Sequence, residues 1–252
     1  MKHFRNILYV SEPDMEQAGA FERAVALAEN NQARLVLLHV DREPQLGALG
    51  QTHNRREAEQ VLKQREMERL EALAAPHLKR CAITHAVRFG IPFIEIIRTV
   101  LRDGHDLVIK PAVAEGGRLH RLFGSSDMQL LRKCPCPVWV LRAGDRPNYE
   151  RILAAVDCDP WESDEESKRL NRQIAEVAGS LAISDFAELH LLHAWTAPAE
   201  ILTRLWGDQS AGEDTIAYVE SERQHHRAAL DRLASDLREQ LGVEAYDYLA
   251  PR

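Results

Sequence analysis

Apolar positions along this chain alternate between two patterns. Short apolar runs, Ile7–Val10, Leu35–Val40 (broken only by His39), Leu107–Ile109 and Val138–Leu141, have the length of strands buried on both faces. Between them the spacing turns helical: Phe21, Ala24, Val25 and Ala28 form one stripe that Asn30 and Asn31 close. A loop with Pro44, Gly47 and Gly50 leads to a long helix from Arg55 to Ala75, with Leu70, Leu73 and Ala74 inside and Pro76 at its end. Ala82–Val87 alternates less cleanly and reads as an edge strand. The next helix starts at Pro92 and buries Ile94, Ile97 and Leu101, with Gly104 as its left-handed stop. The first 142 residues thus hold five strands and four helices in strict alternation, which predicts a parallel sheet covered on both faces. Ligands of such sheets sit beyond the carboxyl ends of the strands, so Glu12, Val40 and the loop from Pro111 to Gly124 should converge on one crevice.

That loop carries Gly116, Gly117 and Gly124 ahead of a helix that Ser125 or Ser126 would cap and that Pro135 ends after Lys133. A helix start behind a glycine loop presents unpaired N–H groups and a partial positive charge, a natural seat for phosphate. The same residues equally fit a plain turn at Gly124 with Ser125 as a cap. After the stretch Ala143–Asn148 the pattern begins again. Arg151–Asp157 repeats the place of Asn6–Glu12, and Leu191–His193 that of Leu37–His39, with offsets of 145 and 154 residues (152 against 7, 191 against 37). The nine extra residues are expected in CDPWESDEES; a helix over 217–241 and a strand over 243–249 follow. The chain therefore divides into a first domain (1–143), a linker (144–150) and a duplicated second domain (151–252). Nothing in the second copy matches Gly90–Arg142, so its first strand would be an open apolar edge. A longer natural chain, or a second subunit over that edge, is the expectation.

Composition narrows the function. Of 252 residues 45% are apolar and 28% charged, as in a globular protein with a real core, and a net charge of −7 argues against a general nucleic-acid binder. No apolar run is long enough to span a membrane and the first ten residues lack a secretory pattern, so a cytoplasmic protein is expected. Four cysteines agree with a reducing compartment. Cys134 and Cys136 stand in CPCP, but no further ligands lie at a zinc spacing, and no metal is assigned. His225 and His226 point apart on a helix, and His190 and His193 fall on opposite faces of a strand. No G-x-S-x-G elbow is present, and no catalytic residue is assigned. Trp161, Trp195 and Trp206 read as packing, although an apolar cavity among them would favour an apolar ligand.

The phrases GHDLVIK (104–110), LLRKCPCPVWVLR (130–142) and ILAAVDCD (152–159) resemble the universal stress protein family in its tandem, E-like form. The resemblance covers essentially the whole chain. It implies two tandem open five-stranded parallel sheets with helices on both faces, an adenine nucleotide alpha hydrolase-like α/β fold, with the second incomplete here. It also implies pairing of domains within the chain or between two chains and, in many members, ATP in the crevice. The family's phosphate loop has glycines that fall on Pro111, Ala114 and Gly124, followed by a hydroxyl at Ser125; Gly117 fits a further glycine of such loops. The first two are lost. Proline offers no N–H and a Cβ at Ala114 hinders close approach, so the first site reads as degenerate. Glu12 stands where ATP-binding members meet adenine through an aspartate. In the second domain Asp157 keeps that aspartate and Ala194 would line the base, while its phosphate loop would lie beyond Arg252; Asp157 also fits a local cap. The expected function is a non-enzymatic stress-response binding and signalling scaffold. The alternative is an ATP-binding, slowly hydrolysing protein whose competent site is in the second domain.

Overall fold

The computed structural model describes residues 4–13, 15–42, 55–112, 125–142, 148–162, 164–197, 212–242 and 245–251. The chain divides into two compact units, Met1–Pro147 and Asn148–Arg252.

In the first unit β1 (Asn6–Val10), α1 (Ala18–Asn31), β2 (Arg34–Asp41), α2 (Arg55–Ala74), β3 (Ile83–Phe89), α3 (Pro92–Asp103), β4 (Leu107–Pro111), α4 (Ser125–Lys133) and β5 (Val138–Leu141) follow one another. The sheet is parallel throughout, in the order β3-β2-β1-β4-β5. β3 lies at an edge, as its weaker alternation predicts. β1 is central, so Ile7, Leu8 and Tyr9 are all fully buried. Alternate residues of β1 serve different layers. Leu8 and Val10 join a core with Ile96, Val100 and Leu130 of α3 and α4, while the Tyr9 ring meets Phe21 of α1 edge-on at 5.1 Å.

Two helical expectations need correction. α3 buries Ile96 and Val100, flanked by Phe93 and Ile97, and leaves Leu101 67% exposed. The stripe 93, 96, 97, 100 fills four neighbouring positions of one helix face, whereas 94, 97 and 101 fill three, so the wider stripe takes the sheet. Ser125 and Ser126 are the first two residues of α4, not caps ahead of it. The stop at Gly104 is as expected: it adopts φ 68° and returns its N–H to the Val100 carbonyl.

The second unit contains β6 (Arg151–Val156), α5 (Glu165–Asp185), β7 (Glu188–Trp195), α6 (Gly212–Leu241) and β8 (Ala245–Pro251), with a parallel sheet β6-β7-β8 that repeats β1-β2-β3. The insertion is not mainly in the loop after β6. α5 has 21 residues against 14 in α1, so seven of the nine extra residues lengthen the helix. Asp164 caps α5, accepting the Glu166 and Ser167 N–H groups, each at 3.2 Å. The face that α5 turns inward is small, Ala175, Ala178, Gly179 and Ala182, which lets Leu230, Leu233 and Leu237 of α6 pack close.

Candidate ligand crevice

The strand order reverses at β1, which pairs with β2 on one side and β4 on the other. A crevice opens at such a reversal, beyond the carboxyl ends of the strands. Three side chains meet there. Lys110, near the end of β4, shares its side-chain direction with Val108 and so points toward the α3–α4 layer. Its side chain is only 3% exposed, and its ammonium lies 2.6 Å from Glu12 Oε1 and 2.9 Å from Asp127 Oδ1. It also donates to the Pro111 carbonyl at 3.1 Å. An ammonium has three N–H groups, and three oxygens surround it. The Asp127 contact counts as an ion pair, because Oδ1 has close approach without hydrogen-bond geometry.

Each member is held by its element. Glu12 follows β1 in a turn fixed by Gln17, whose Oε1 accepts the Glu12 N–H and the Ser11 hydroxyl, each at 3.2 Å. Arg69 of α2 donates to the Pro13 carbonyl at 2.9 Å and ties down the far side of that turn. Asp127 sits in the first turn of α4, where a carboxylate complements the helix dipole. The seat that a phosphate would take therefore has a carboxylate beside it, fully shielded from solvent. Pro111 pairs with Leu141 in the β4–β5 ladder, and the next residue, Ala112, donates its N–H to the Leu141 carbonyl at 2.6 Å.

Of the residues expected in this crevice, the structure joins Glu12 and Pro111 through Lys110. Val40 is half-buried near the end of β2, and Ser126 half-buried in the first turn of α4. Ala114, Gly117 and Gly124 lie outside the described residues, and Ser125 is placed only by its backbone. Sequence reasoning missed Lys110 and Asp127 as site residues. The signal was there for Lys110: a lysine closing the run LVIK in a strand covered on both faces must be buried, and a buried charge needs a partner.

In the second unit Asp157 and Ala194 stand near the ends of β6 and β7. The Asp157 side chain is 78% exposed, with Oδ1 3.8 Å from His193 Nδ1. Its loop is locked through the main chain: Asn171 Oδ1 accepts the Asp157 N–H at 3.0 Å, and Asn171 Nδ2 donates to the Asp157 carbonyl at 2.6 Å. Local capping thus belongs to Asn171 and not to the aspartate carboxylate. A cleft of about 420 Å³ opens beside Asp157, lined by Asp159, Lys168, Arg172, Arg232 and Asp236 among others.

Behind it lies a buried histidine pair. His193 Nδ1 lies 3.2 Å from both the Cys158 backbone N and the Val156 carbonyl oxygen, so the ring tautomer selects which it engages, and Nε2 lies 2.8 Å from His226 Nδ1. Burial first, and then the neighbouring His193, hold the His226 imidazole below its ordinary range. Trp195 is buried and packs on His226 at 5.1 Å, whereas Trp161 is 64% exposed and meets His225 edge-on. Trp195 is thus core packing, while Trp161 packs on His225 and donates to Glu222 Oε2 at 3.2 Å at the surface of its unit; Trp206 lies outside the described residues. Among the described residues no cluster of three or more His, Cys, Asp or Glu side chains could hold a metal ion, and no helix is long and apolar enough to cross a membrane.

Residues 3–142 match the family model described as the universal stress protein family. The chain belongs to the universal stress protein family. Among curated relatives it is 28% identical over 218 residues to universal stress protein E of Photorhabdus laumondii, and 31% identical over 203 residues to a universal stress protein E homolog of Haemophilus influenzae. These alignments cover 81% and 76% of this chain, and 67% and 64% of the relatives' own lengths. Among solved structures, a functionally unknown protein of Pseudomonas aeruginosa PAO1 superposes with a TM-score of 0.67 at 22% identity, over 100% of this chain and 75% of that one. A universal stress protein of Archaeoglobus fulgidus gives 0.61 at 16% identity, over 98% and 77%. Such distant likeness speaks to the α/β fold, which here agrees with the universal stress protein domain seen in the first unit.

Proposed function

We propose that this universal stress protein is a non-enzymatic binding scaffold of the stress response whose first crevice is closed by its own ion pairs and not kept open for a nucleotide. The observation that carries this is the Lys110 ammonium, surrounded by Glu12, Asp127 and the Pro111 carbonyl. The trio holds two negative charges against one positive. A triphosphate would meet a carboxylate at the helix start and would have to break a buried pair to recruit the lysine. Both steps cost free energy. Pro111 adds to this by withholding an N–H at the end of β4.

A second reading, ATP bound by the second unit, draws on one specific feature. The Asp157 carboxylate is largely exposed beside a cleft holding Lys168, Arg172 and Arg232, and Lys168 meets Glu165 only at the surface, 2.9 Å away. Calorimetric titration of the chain with ATP and Mg²⁺ tests both. No saturable heat at micromolar nucleotide supports the closed scaffold. Micromolar binding abolished by Asp157→Ala transfers nucleotide to the second unit. Micromolar binding that survives Asp157→Ala and is altered by Glu12→Ala overturns the proposal.

A further inference from the structure

Between α4 and β5 the chain reads Cys134-Pro135-Cys136-Pro137, and neither the crevice nor the cleft uses it. The two sulfurs lie 3.7 Å apart. Both side chains are half-buried against the core of the first unit, which includes Phe93, Ile97 and Val138. The loop is pinned at both ends: Cys134 donates its N–H to the Leu130 carbonyl at 2.9 Å, and the Pro137 carbonyl accepts the Val108 N–H at 3.0 Å. Two prolines remove backbone freedom between these anchors, so the sulfurs are held close in a loop with little room to part.

We propose that Cys134 and Cys136 form a redox-active dithiol that exchanges with small-molecule disulfides, Cys134 as the attacking sulfur and Cys136 as the resolving one.

The roles follow from an asymmetry. Cys134 Sγ is approached first by the Cys136 thiol and also by the Cys136 backbone N–H, and these donors bring its thiol down to about 7 despite partial burial. Cys136 is pushed up, first by that same hydrogen bond, then by burial and by the Cys134 and Asp106 negative charges. A thiolate near neutral pH is the better nucleophile, and a protonated neighbour is kept in reserve. The other two cysteines are the contrast. Burial raises Cys81, and burial pushes Cys158 up to about 11.

The exchange balances without any further reagent. The Cys134 thiolate attacks one sulfur of RSSR, forming a mixed disulfide and expelling RS⁻. Cys136 then gives its proton to solvent and attacks Cys134 Sγ, forming the Cys134–Cys136 bond and expelling the second RS⁻. The net change is dithiol plus RSSR to protein disulfide plus two RSH.

The test equilibrates the full chain in glutathione buffers of graded oxidised-to-reduced ratio, traps free thiols by alkylation and weighs the peptide spanning 134–136. The expected result is loss of two hydrogens in one reversible transition, with Cys81 and Cys158 still free to be alkylated after denaturation. Cys136→Ala should accumulate one glutathione on Cys134, and the pH midpoint for Cys134 alkylation should rise by at least about one unit when the donor is removed. Failure of the wild-type peptide to lose two hydrogens in any buffer overturns the proposal. So does a Cys134 midpoint unchanged in Cys136→Ala.

Discussion

Replacing Lys110 by methionine keeps most of the length and volume of the side chain and removes its charge together with its N–H donors, the one to the Pro111 carbonyl included. Asp127, whose carboxylate is 0% exposed, then loses the ammonium 2.9 Å away, and Glu12 loses one at 2.6 Å. Removing one partner of a buried ion pair typically costs about 3–5 kcal/mol, because the other is left desolvated and uncompensated. The Glu12 side chain remains 29% exposed and can take up water, which places the expected loss near the low end, about 3 kcal/mol. That corresponds to roughly a hundredfold increase in the open population. Hydrogen exchange of the β1 and β4 amides reads this population in the first unit alone, with no assumption that two units unfold together. Lys110→Met should speed exchange of the slowest of these amides by roughly that factor, and adding Asp127→Asn should recover part of it, since a buried carboxylate no longer faces the site of the missing ammonium. A single variant within about 1 kcal/mol of wild type would refute the reasoning. A double variant no more stable than the single one would refute it as well.

Further outcomes are expected in the second unit. His226 is held below its ordinary range in the folded state, so between the folded and unfolded values the unfolded chain binds more protons. Stability from this group is therefore full above about pH 6.5 and is lost as pH falls from there through the depressed folded value. His226→Phe should flatten that part of the profile in urea melts followed by the exchange of β7 amides; an unchanged slope would count against it. At Gly179 an added Cβ would lie 2.8 Å from Leu241 Cδ1 and 3.4 Å from Leu237 Cδ1. Both contacts are ends of flexible side chains, so Gly179→Ala should be close to neutral, its strain offset by a helix-propensity gain of about 1 kcal/mol. Gly179→Val should cost about 1–3 kcal/mol by overpacking, read as a lower urea midpoint.

What could be read from the sequence was what neighbours along the chain decide. Runs such as Ile7–Val10 and Leu35–Leu38 are strands because no helix stripe contains so many consecutive apolar residues, and Gly104 ends α3 because glycine takes φ 68° at no steric cost. The repeat of β1-α1-β2 in β6-α5-β7 was legible for the same reason. The phase of α3 was less so, since Ile97 belongs to two overlapping stripes; the wider one, with Phe93, Ile96 and Val100, is the one that packs with Leu8 and Val108 of the sheet.

The crevice was the part least open to such reading. A parallel sheet directs attention to the carboxyl ends of its strands, yet the groups that meet there, Glu12, Lys110 and Asp127, come from two strand ends and a helix start spread over more than a hundred residues. That Lys110 is buried, and so paired, follows from its place closing LVIK, because a charge in a strand covered on both faces is cut off from water. Its partners follow from the folded arrangement alone: pairing is set by distance through space, and the order β3-β2-β1-β4-β5 is what brings the end of β4 beside the end of β1.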